Sequence, residues 1–354
     1  MSKPKLLELD IVRGIAIAAV LLIHATASSR VELPLGSYSH TLYFSINNLS
    51  YFPVQAFVLL SGLVLFYSYF DNWNVRRTLG FYRKRLQYIL IPYLIWSCFY
   101  YLYDKWLNPE MTVTFSWPEF VRLLPWGEAG YHLYFMAIIM QLYAIFPLLI
   151  SLIKLWRPLA SYLWLIGIVA QAAFSFYTQY AHIAVPHGDR LFSTYFALFC
   201  IGGSIGMHYE KVMGWLNRNI WWFFAATVAT GFTFLLLSLQ AQYGTELPSW
   251  AFELLFNGYP AMVAISFTWI GRHWLTAAPR WSAALASLGA ASFGIYFTHP
   301  SLLGIYALKT SGIVPGTWEY HAALWGSIAL IVIVPWAIVS SMKRVKAAWV
   351  LFGK

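Results

Sequence analysis

Charged side chains are scarce in this 354-residue chain, at 10% of the sequence, where ordinary soluble domains carry roughly a quarter. So little charge cannot cover a water-soluble globule without leaving very large apolar patches, which excludes a soluble enzyme or a soluble binding module. Cysteine is nearly absent. Cys98 and Cys200 both sit inside apolar runs, with no CxxC or Cys/His metal spacing, so two free thiols are expected and no disulfide framework. His182 and His187 lack a helical ligand spacing, and neither a metal nor a permanently bound cofactor is expected. Long linkers, internal repeats and low-complexity tracts are missing too, so one membrane domain over 1–354 is the simplest organisation.

What fills the chain instead is 60% hydrophobic and 19% aromatic residues. Ten stretches are long enough to span a bilayer as helices: 8–28, 50–70, 85–103, 131–151, 160–178, 191–209, 219–239, 253–271, 286–306 and 321–342. The expected fold is therefore all-α, a polytopic bundle of ten transmembrane helices. The first run follows a short basic N-terminus without a convincing small-residue cleavage site, and reads as a retained span. The net charge of +10 comes from short basic clusters between apolar runs, a pattern of membrane topology and not of nucleic-acid binding. With the N-terminus inside and the loops assigned alternately, only Arg30, Lys105, Arg122, Arg190 and Lys309 fall outside. Of the 23 lysines and arginines all the others except Arg13, which lies within the first run, fall inside. That bias places both termini in the cytoplasm. The longest loop, 104–130, holds Trp117-Pro118-Glu119, a start signal for a surface helix with Phe120, Val121, Leu123 and Leu124 as its apolar side.

Ionisable groups inside a span are costly and tend to face the bundle interior. The first run carries Asp10, Arg13 and His24. Asp10 and Arg13 are helical neighbours at i, i+3. Arg13 and His24 are eleven steps apart, which returns to within about 20° of one face and separates them by about 16 Å along the axis. Asp10 and Arg13 fit an interfacial pair as well as a functional one, and His24 fits a hydrogen-bonded core histidine as well as a proton-transfer group. Arg76, Arg77, Arg83, Lys84 and Arg85 form a basic cluster on the inner side, accounted for by topology alone or by binding of a phosphate-rich donor. Ser292 to Pro300 places Tyr296 and His299 just before a helix-kinking proline. Gly202 and Gly206 form a GxxxG suited to close helix packing, Ser61-Gly62 suits the same contact, and Gln55, Gln141 and Gln171 suit polar bridges between helices.

The segment Glu8-Leu9-Asp10-Ile11-Val12-Arg13-Gly14, with His24 eleven residues after the arginine, resembles the opening motif of the membrane acyltransferase-3 family. Further matches follow in the family's order: Ala56 to Gly62 in the second run, Arg83-Lys84-Arg85 leading to Ile91-Pro92-Tyr93, His132-Leu133-Tyr134-Phe135 with Tyr in place of the family's Trp, and Ser292 to Pro300. Ile201 to Asn217, with Gly206, Tyr209, Glu210 and Leu216, is similar to the branch encoded with biofilm poly-N-acetylglucosamine synthesis. The resemblance implies O-acyl transfer, of the acetyl or succinyl class, from cytosolic acyl-CoA to a carbohydrate of the bacterial cell envelope. It implies His24 as the catalytic base or acyl carrier, supported by Asp10 and Arg13. Arg83, Arg85, Arg76, Arg77, Ser61, His132, Tyr296 and His299 are then donor- or acceptor-binding residues. Implied partners are acyl-CoA, the glycan acceptor, the bilayer, and glycan synthase or export proteins. A transporter or flippase for a polysaccharide or lipid-linked sugar is the rival class.

Overall fold

The computed structural model describes residues 3–180, 185–246, 248–342 and 344–353. His182, Lys343 and Lys354, used in the readings above, lie outside the described residues. Among those residues all regular structure is helical. In chain order the helices are α1 (Glu8–Ala25), α2 (Ser29–Glu32), α3 (Tyr38–Leu49), α4 (Pro53–Tyr69), α5 (Thr78–Arg85), α6 (Ile91–Leu107), α7 (Trp117–Leu123), α8 (Tyr134–Leu155), α9 (Pro158–Tyr180), α10 (Phe196–Met207), α11 (Tyr209–Gln242), α12 (Ser249–Ala277), α13 (Pro279–Thr310), α14 (Trp318–Met342) and α15 (Trp349–Phe352).

A helix lies over each of the ten apolar runs, but among the described residues seven segments are long and apolar enough to cross a membrane, carried by α1–α2, α3–α4, α8, α9, α11, α12 and α14. The other three runs fall short for visible reasons. α6 counts 17 residues because the π-helical turn Leu86–Leu90 sets it off from α5, although the three form one unbroken helical stretch, and α10 has 12. α13 is 32 residues long, but serines, glycines, Thr298, His299 and Pro300 dilute its apolar character. Trp164, Val169 and Phe176 on α9 and Trp221, Trp222, Val228 and Phe232 on α11 are exposed, an apolar exterior suited to lipid.

The chain folds as two compact units. One comprises Lys5–Phe57 and Glu210–Ser341. Its centre is the pairing of α1 with α13. Glu8 and Asp10 in the first turn of α1 suit the positive end of the helix dipole, and Pro279 opens α13 where no N–H is needed. Gly14 meets the backbone at Leu285 and Gly289, and Gly289 meets the Asp10 carbonyl and the Gly14 nitrogen. Lipid tails are as apolar as the helices, so such pairs associate through close van der Waals contact, which glycine permits. Ten residues further along both helices, His24 stands beside His299. The two helices therefore run parallel. The neighbouring pairs are antiparallel. Across α11 and α12, Glu210 pairs with Arg272 at 2.9 Å, Trp269 Nε1 donates to Asn217 Oδ1 at 2.7 Å, and Thr227 and Ser266 share a bond of 3.1 Å. Across α13 and α14, Trp336 Nε1 donates to Ser287 Oγ at 3.2 Å and the Tyr306 hydroxyl to the Ala323 carbonyl at 3.0 Å. Gln55 Nε2 reaches the Phe256 carbonyl at 3.5 Å, a bridge of the kind expected.

The other unit comprises Met1–Pro4, Val58–Tyr209 and Met342–Lys354. The GxxxG packs as expected: Gly202 and Gly206 of α10 meet the backbone of Leu59 and Leu63, and Gly62 meets Phe199 and Gly203, so α4 and α10 are parallel. α9 and α10 are antiparallel, with Gly167 against Cys200 and Gln171 Oε1 accepting from the Ala197 N–H at 2.9 Å. Gln141 bridges α8 to the Arg190 carbonyl at 2.9 Å and the Phe192 N–H at 3.0 Å. Cys98 and Cys200 are free thiols. α7 starts at Trp117 as its sequence signals, with Phe120 buried and Val121 exposed. A seven-residue helix makes barely two turns, so only part of such a run can face one way. Beside it, the Glu119 carboxylate accepts from the Tyr101 hydroxyl and from Lys105 Nζ, the latter at 2.9 Å.

Candidate functional site

The unit built on α1 and α13 holds five of the candidate residues: Asp10, Arg13, His24, Tyr296 and His299. At the N-terminal end of α1 the Asp10 side chain is buried and accepts from Arg13 Nη1 at 2.8 Å, the i, i+3 pair expected. Its second oxygen accepts from Lys5 Nζ. Lys5 is absent from the residues singled out in the sequence. It lies outside the helical run, and its position five residues before Asp10 gives no helical spacing. Asp10 thus holds two cations whose side chains still reach solvent, Arg13 at 31% and Lys5 at 66% exposure. A carboxylate shared in this way pins the guanidinium and leaves it donors for an incoming anion.

At the far end of α1 the His24 and His299 rings lie 5.1 Å apart between centroids, tilted by 34°. His24 is half-buried and His299 is fully buried. His299 Nδ1 lies 3.0 Å from the Ile295 carbonyl. A carbonyl only accepts, so the proton of that bond sits on Nδ1 and the neutral ring carries its lone pair on Nε2. Pro300 has no N–H to give the Tyr296 carbonyl, one turn before it, and that carbonyl also faces the His299 ring. The Tyr296 ring is 6.5 Å from that of His299. At the same end, buried Asn47 of α3 donates to the Ile23 carbonyl at 2.8 Å and to Thr26 Oγ1 at 2.9 Å, fixing the end of α1 that carries His24. The pairing of the histidines rests on equal spacing. Gly14 precedes His24 by ten residues, and Gly289 precedes His299 by ten. In parallel helices crossing at those glycines, equal spacing puts both rings at one level.

The remaining candidates belong to the other unit. Arg76 and Arg77 are exposed on a short turn, Val75–Arg77, and Arg83 is exposed on α5. Among the described residues none of Arg76, Arg77, Arg83 and Arg85 forms a salt bridge with a carboxylate. The Arg85 guanidinium lies over the Phe81 ring at 4.6 Å and the Tyr143 ring at 4.9 Å, a stacking that orients its planar fork. A π-helical turn, Leu86–Leu90, follows directly; such turns are frequent at functional sites. His132 is buried with its ring edge-on to Tyr100 at 4.6 Å, and Ser61 is half-buried beside the Gly62 contact. His187, on a left-handed backbone position, stacks on Trp126 at 4.8 Å with Nδ1 3.4 Å from Glu128.

A family model described as an acyltransferase domain matches residues 6–341. A protein of Staphylococcus aureus (strain MSSA476), called "probable poly-beta-1,6-N-acetyl-D-glucosamine export protein", is 25% identical over 311 residues, covering 84% of this chain and 82% of the relative. A Staphylococcus epidermidis protein of the same name is 22% identical over 313 residues, covering 86% and 82%. No solved structure matches.

Proposed function

We propose, since this chain belongs to the membrane acyltransferase-3 family, that it is an O-acyltransferase of the bacterial cytoplasmic membrane, moving an acyl group of the acetyl or succinyl class from cytosolic acyl-CoA to a hydroxyl of an extracytoplasmic polysaccharide. The staphylococcal relatives' names point to a β-1,6-linked N-acetylglucosamine polymer as the acceptor. The observation that carries the reading is the pair His24 and His299, held at one level by the glycine crossing of α1 and α13.

In the proposed reaction one imidazole nitrogen of the pair takes the proton of the acceptor hydroxyl as its oxygen attacks the thioester carbonyl. The carbonyl oxygen gains negative charge, which the Tyr296 hydroxyl is suited to stabilise. The C–O ester bond forms, the C–S bond breaks, and the leaving thiolate recovers the proton from the imidazolium to give free coenzyme A. His24 is the base, or transiently carries the acyl group itself. His299, its proton fixed on Nδ1, orients its neighbour. Arg13 and Lys5, clamped by Asp10, are suited to anionic parts of the donor. Arg83, Arg85, Arg76 and Arg77 are proposed contacts for coenzyme A phosphates, with Ser61 and His132 as further donor- or acceptor-binding residues. No permanently bound cofactor is part of this reading.

Ten spans with both termini in the cytoplasm complete the proposal. Helix directions within each unit support it. The first and ninth runs, α1 and α13, are parallel, as are the second and sixth, α4 and α10, while consecutive runs such as α9 and α10, or α11 and α12, are antiparallel. Strict alternation across a bilayer demands this pattern.

The test is His24→Ala in a purified, membrane-reconstituted protein. Acyl transfer from acyl-CoA is expected to vanish while insertion and yield stay normal. Full activity in that variant would refute the base assignment. The relatives' name favours a second reading, export of the polymer. Acyl content and exported amount of the polymer, measured separately, tell the two apart. Loss of acyl groups with normal export supports transfer, and loss of the polymer outside the cell supports export.

A further inference from the structure

Within the α1–α13 unit a cavity of about 290 Å³ opens immediately beyond the histidine pair. Ala25, the residue after His24, lines it, and so does Leu303, one helical turn after His299. Its volume lies at the small end of ligand pockets, suited to one ring-sized group and too small for a nucleotide thioester. Its polar lining is built of the hydroxyls of four serines and threonines, the tyrosines Tyr306 and Tyr320, and the one carboxylate of Glu32. The Tyr320 hydroxyl donates to Glu32 Oε2 at 2.7 Å. Tyr320 is itself buried in a cluster with Leu33, Tyr43 and Leu324, so the carboxylate is held by a rigid neighbour. Glu32 also lines a second, wider hollow of about 490 Å³, where Arg30, His40 and Gln242 add polar groups. Arg30 is fixed there by Asn47 Oδ1 at 3.3 Å and by the face of Phe44 at 5.0 Å.

We infer that these two hollows, which share Glu32 in their linings, form the glycan-binding track of the enzyme. One sugar residue sits in the small cavity with its hydroxyl toward His24 and His299, and the next residues of the polymer lie in the wider hollow. The inference rests on the acyl-transfer reading for the direction in which the acceptor hydroxyl points, and on cavity and lining alone for the binding. Tyrosine, carboxylate and hydroxyl groups around a ring-sized space match a sugar, whose faces are apolar and whose rim is hydroxyl. Two hollows sharing one wall suit a polymer better than a monosaccharide, because the second residue binds at the high effective concentration set by the first.

The experiment is equilibrium binding of a β-1,6-linked N-acetylglucosamine pentamer, and of the monosaccharide, to the full chain in lipid nanodiscs, with coenzyme A binding measured alongside. The pentamer is expected to bind at least about tenfold tighter than the monosaccharide. Glu32→Gln and Tyr320→Phe are each expected to weaken it by about tenfold, the loss of one charge-assisted hydrogen bond, and to leave coenzyme A binding unchanged. Glu32 is exposed, so its variant keeps the test valid if Tyr320→Phe disturbs folding. Absence of pentamer binding to the unaltered chain, or equal binding by both variants, overturns the inference. His24→Ala separates it from the reading beneath. Pentamer binding retained there with transfer lost supports both. Pentamer binding without transfer by any form of the protein sinks the acyl-transfer reading and leaves the track standing.

Discussion

Replacing Gly289 by alanine tests whether the helix crossing sets the reactive geometry. An added Cβ would stand 2.8 Å from both the Asp10 carbonyl carbon and the Gly14 nitrogen, and closer still to the Asp10 carbonyl oxygen. Ordinary contacts of a Cβ begin at 3.4 Å. Both obstacles are backbone, which cannot swing aside, so α1 and α13 must separate by about 1 Å at the crossing. Overpacking of this kind costs about 1–3 kcal/mol of stability. The larger effect falls on the chemistry, because the crossing is what places His24 against His299 ten residues away. A misplacement of about 1 Å lowers a well-positioned reaction by about a hundredfold, or about 2.7 kcal/mol of barrier. The assay is acyl transfer by purified protein in nanodiscs, normalised to folded protein by size-exclusion chromatography. Gly214→Ala on α11 is the control. Nothing lies within 4 Å of the Cβ it would add, and alanine favours helix, so it is expected to be neutral or stabilising by up to about 1 kcal/mol. Unchanged turnover in Gly289→Ala, at normal yield, would falsify the argument, as would an equal loss in Gly214→Ala.

Four further outcomes are expected. Asp10→Asn removes the anion shared by Lys5 and Arg13 and should lower the thermal midpoint by the equivalent of about 1–3 kcal/mol, less than a fully buried pair because both cations reach solvent; a midpoint equal to the unaltered protein's contradicts this. Arg83→Ala combined with Arg85→Ala should raise KM for acyl-CoA by about tenfold with little change in kcat, and flatten the salt dependence of KM; an unchanged KM removes these arginines from donor binding. His299→Gln should cut kcat by about 10²–10⁴-fold while coenzyme A still binds, and turnover within a factor of two of normal shows the second imidazole to be structural only. Hydrogen bonds from Tyr101 and then Lys105 hold the Glu119 carboxyl below its ordinary range. The ionised form is favoured in the folded protein, so its stabilising contribution is present at neutral pH and declines as pH falls through that lowered value. Thermal melts against pH should show a smaller acid-side decline in Glu119→Gln, and superimposable profiles rule the contact out as a source of acid sensitivity.

Much of the site on α1 was legible in the sequence because one helix carries it. Asp10 and Arg13 are joined by spacing alone, and the eleven steps from Arg13 to His24 needed only helical period. The approach of His24 to His299 was not legible, since it depends on which helices pair and in which direction. The signal was there in the two glycines, each ten residues before its histidine, but Gly14 and Gly289 gain meaning only as partners. Lys5 escaped because it lies in the extended segment before the helix, where no period applies. The fold followed the same division. Runs of apolar residues gave helices where expected, yet α6 is set off from α5 by a π-helical turn, α10 is short, and α13 is diluted by small and polar residues. Local amphipathicity on α7 did not tell which apolar residues pack under neighbouring side chains, as buried Phe120 and exposed Val121 show.

His24 and His299 are separated by 275 positions of ribosome travel. At elongation speeds of about 5–20 residues per second, α1 waits for about 14–55 s before α13 can dock on it. α1 therefore has to keep its place, unpaired with α13, while the helices between them are made.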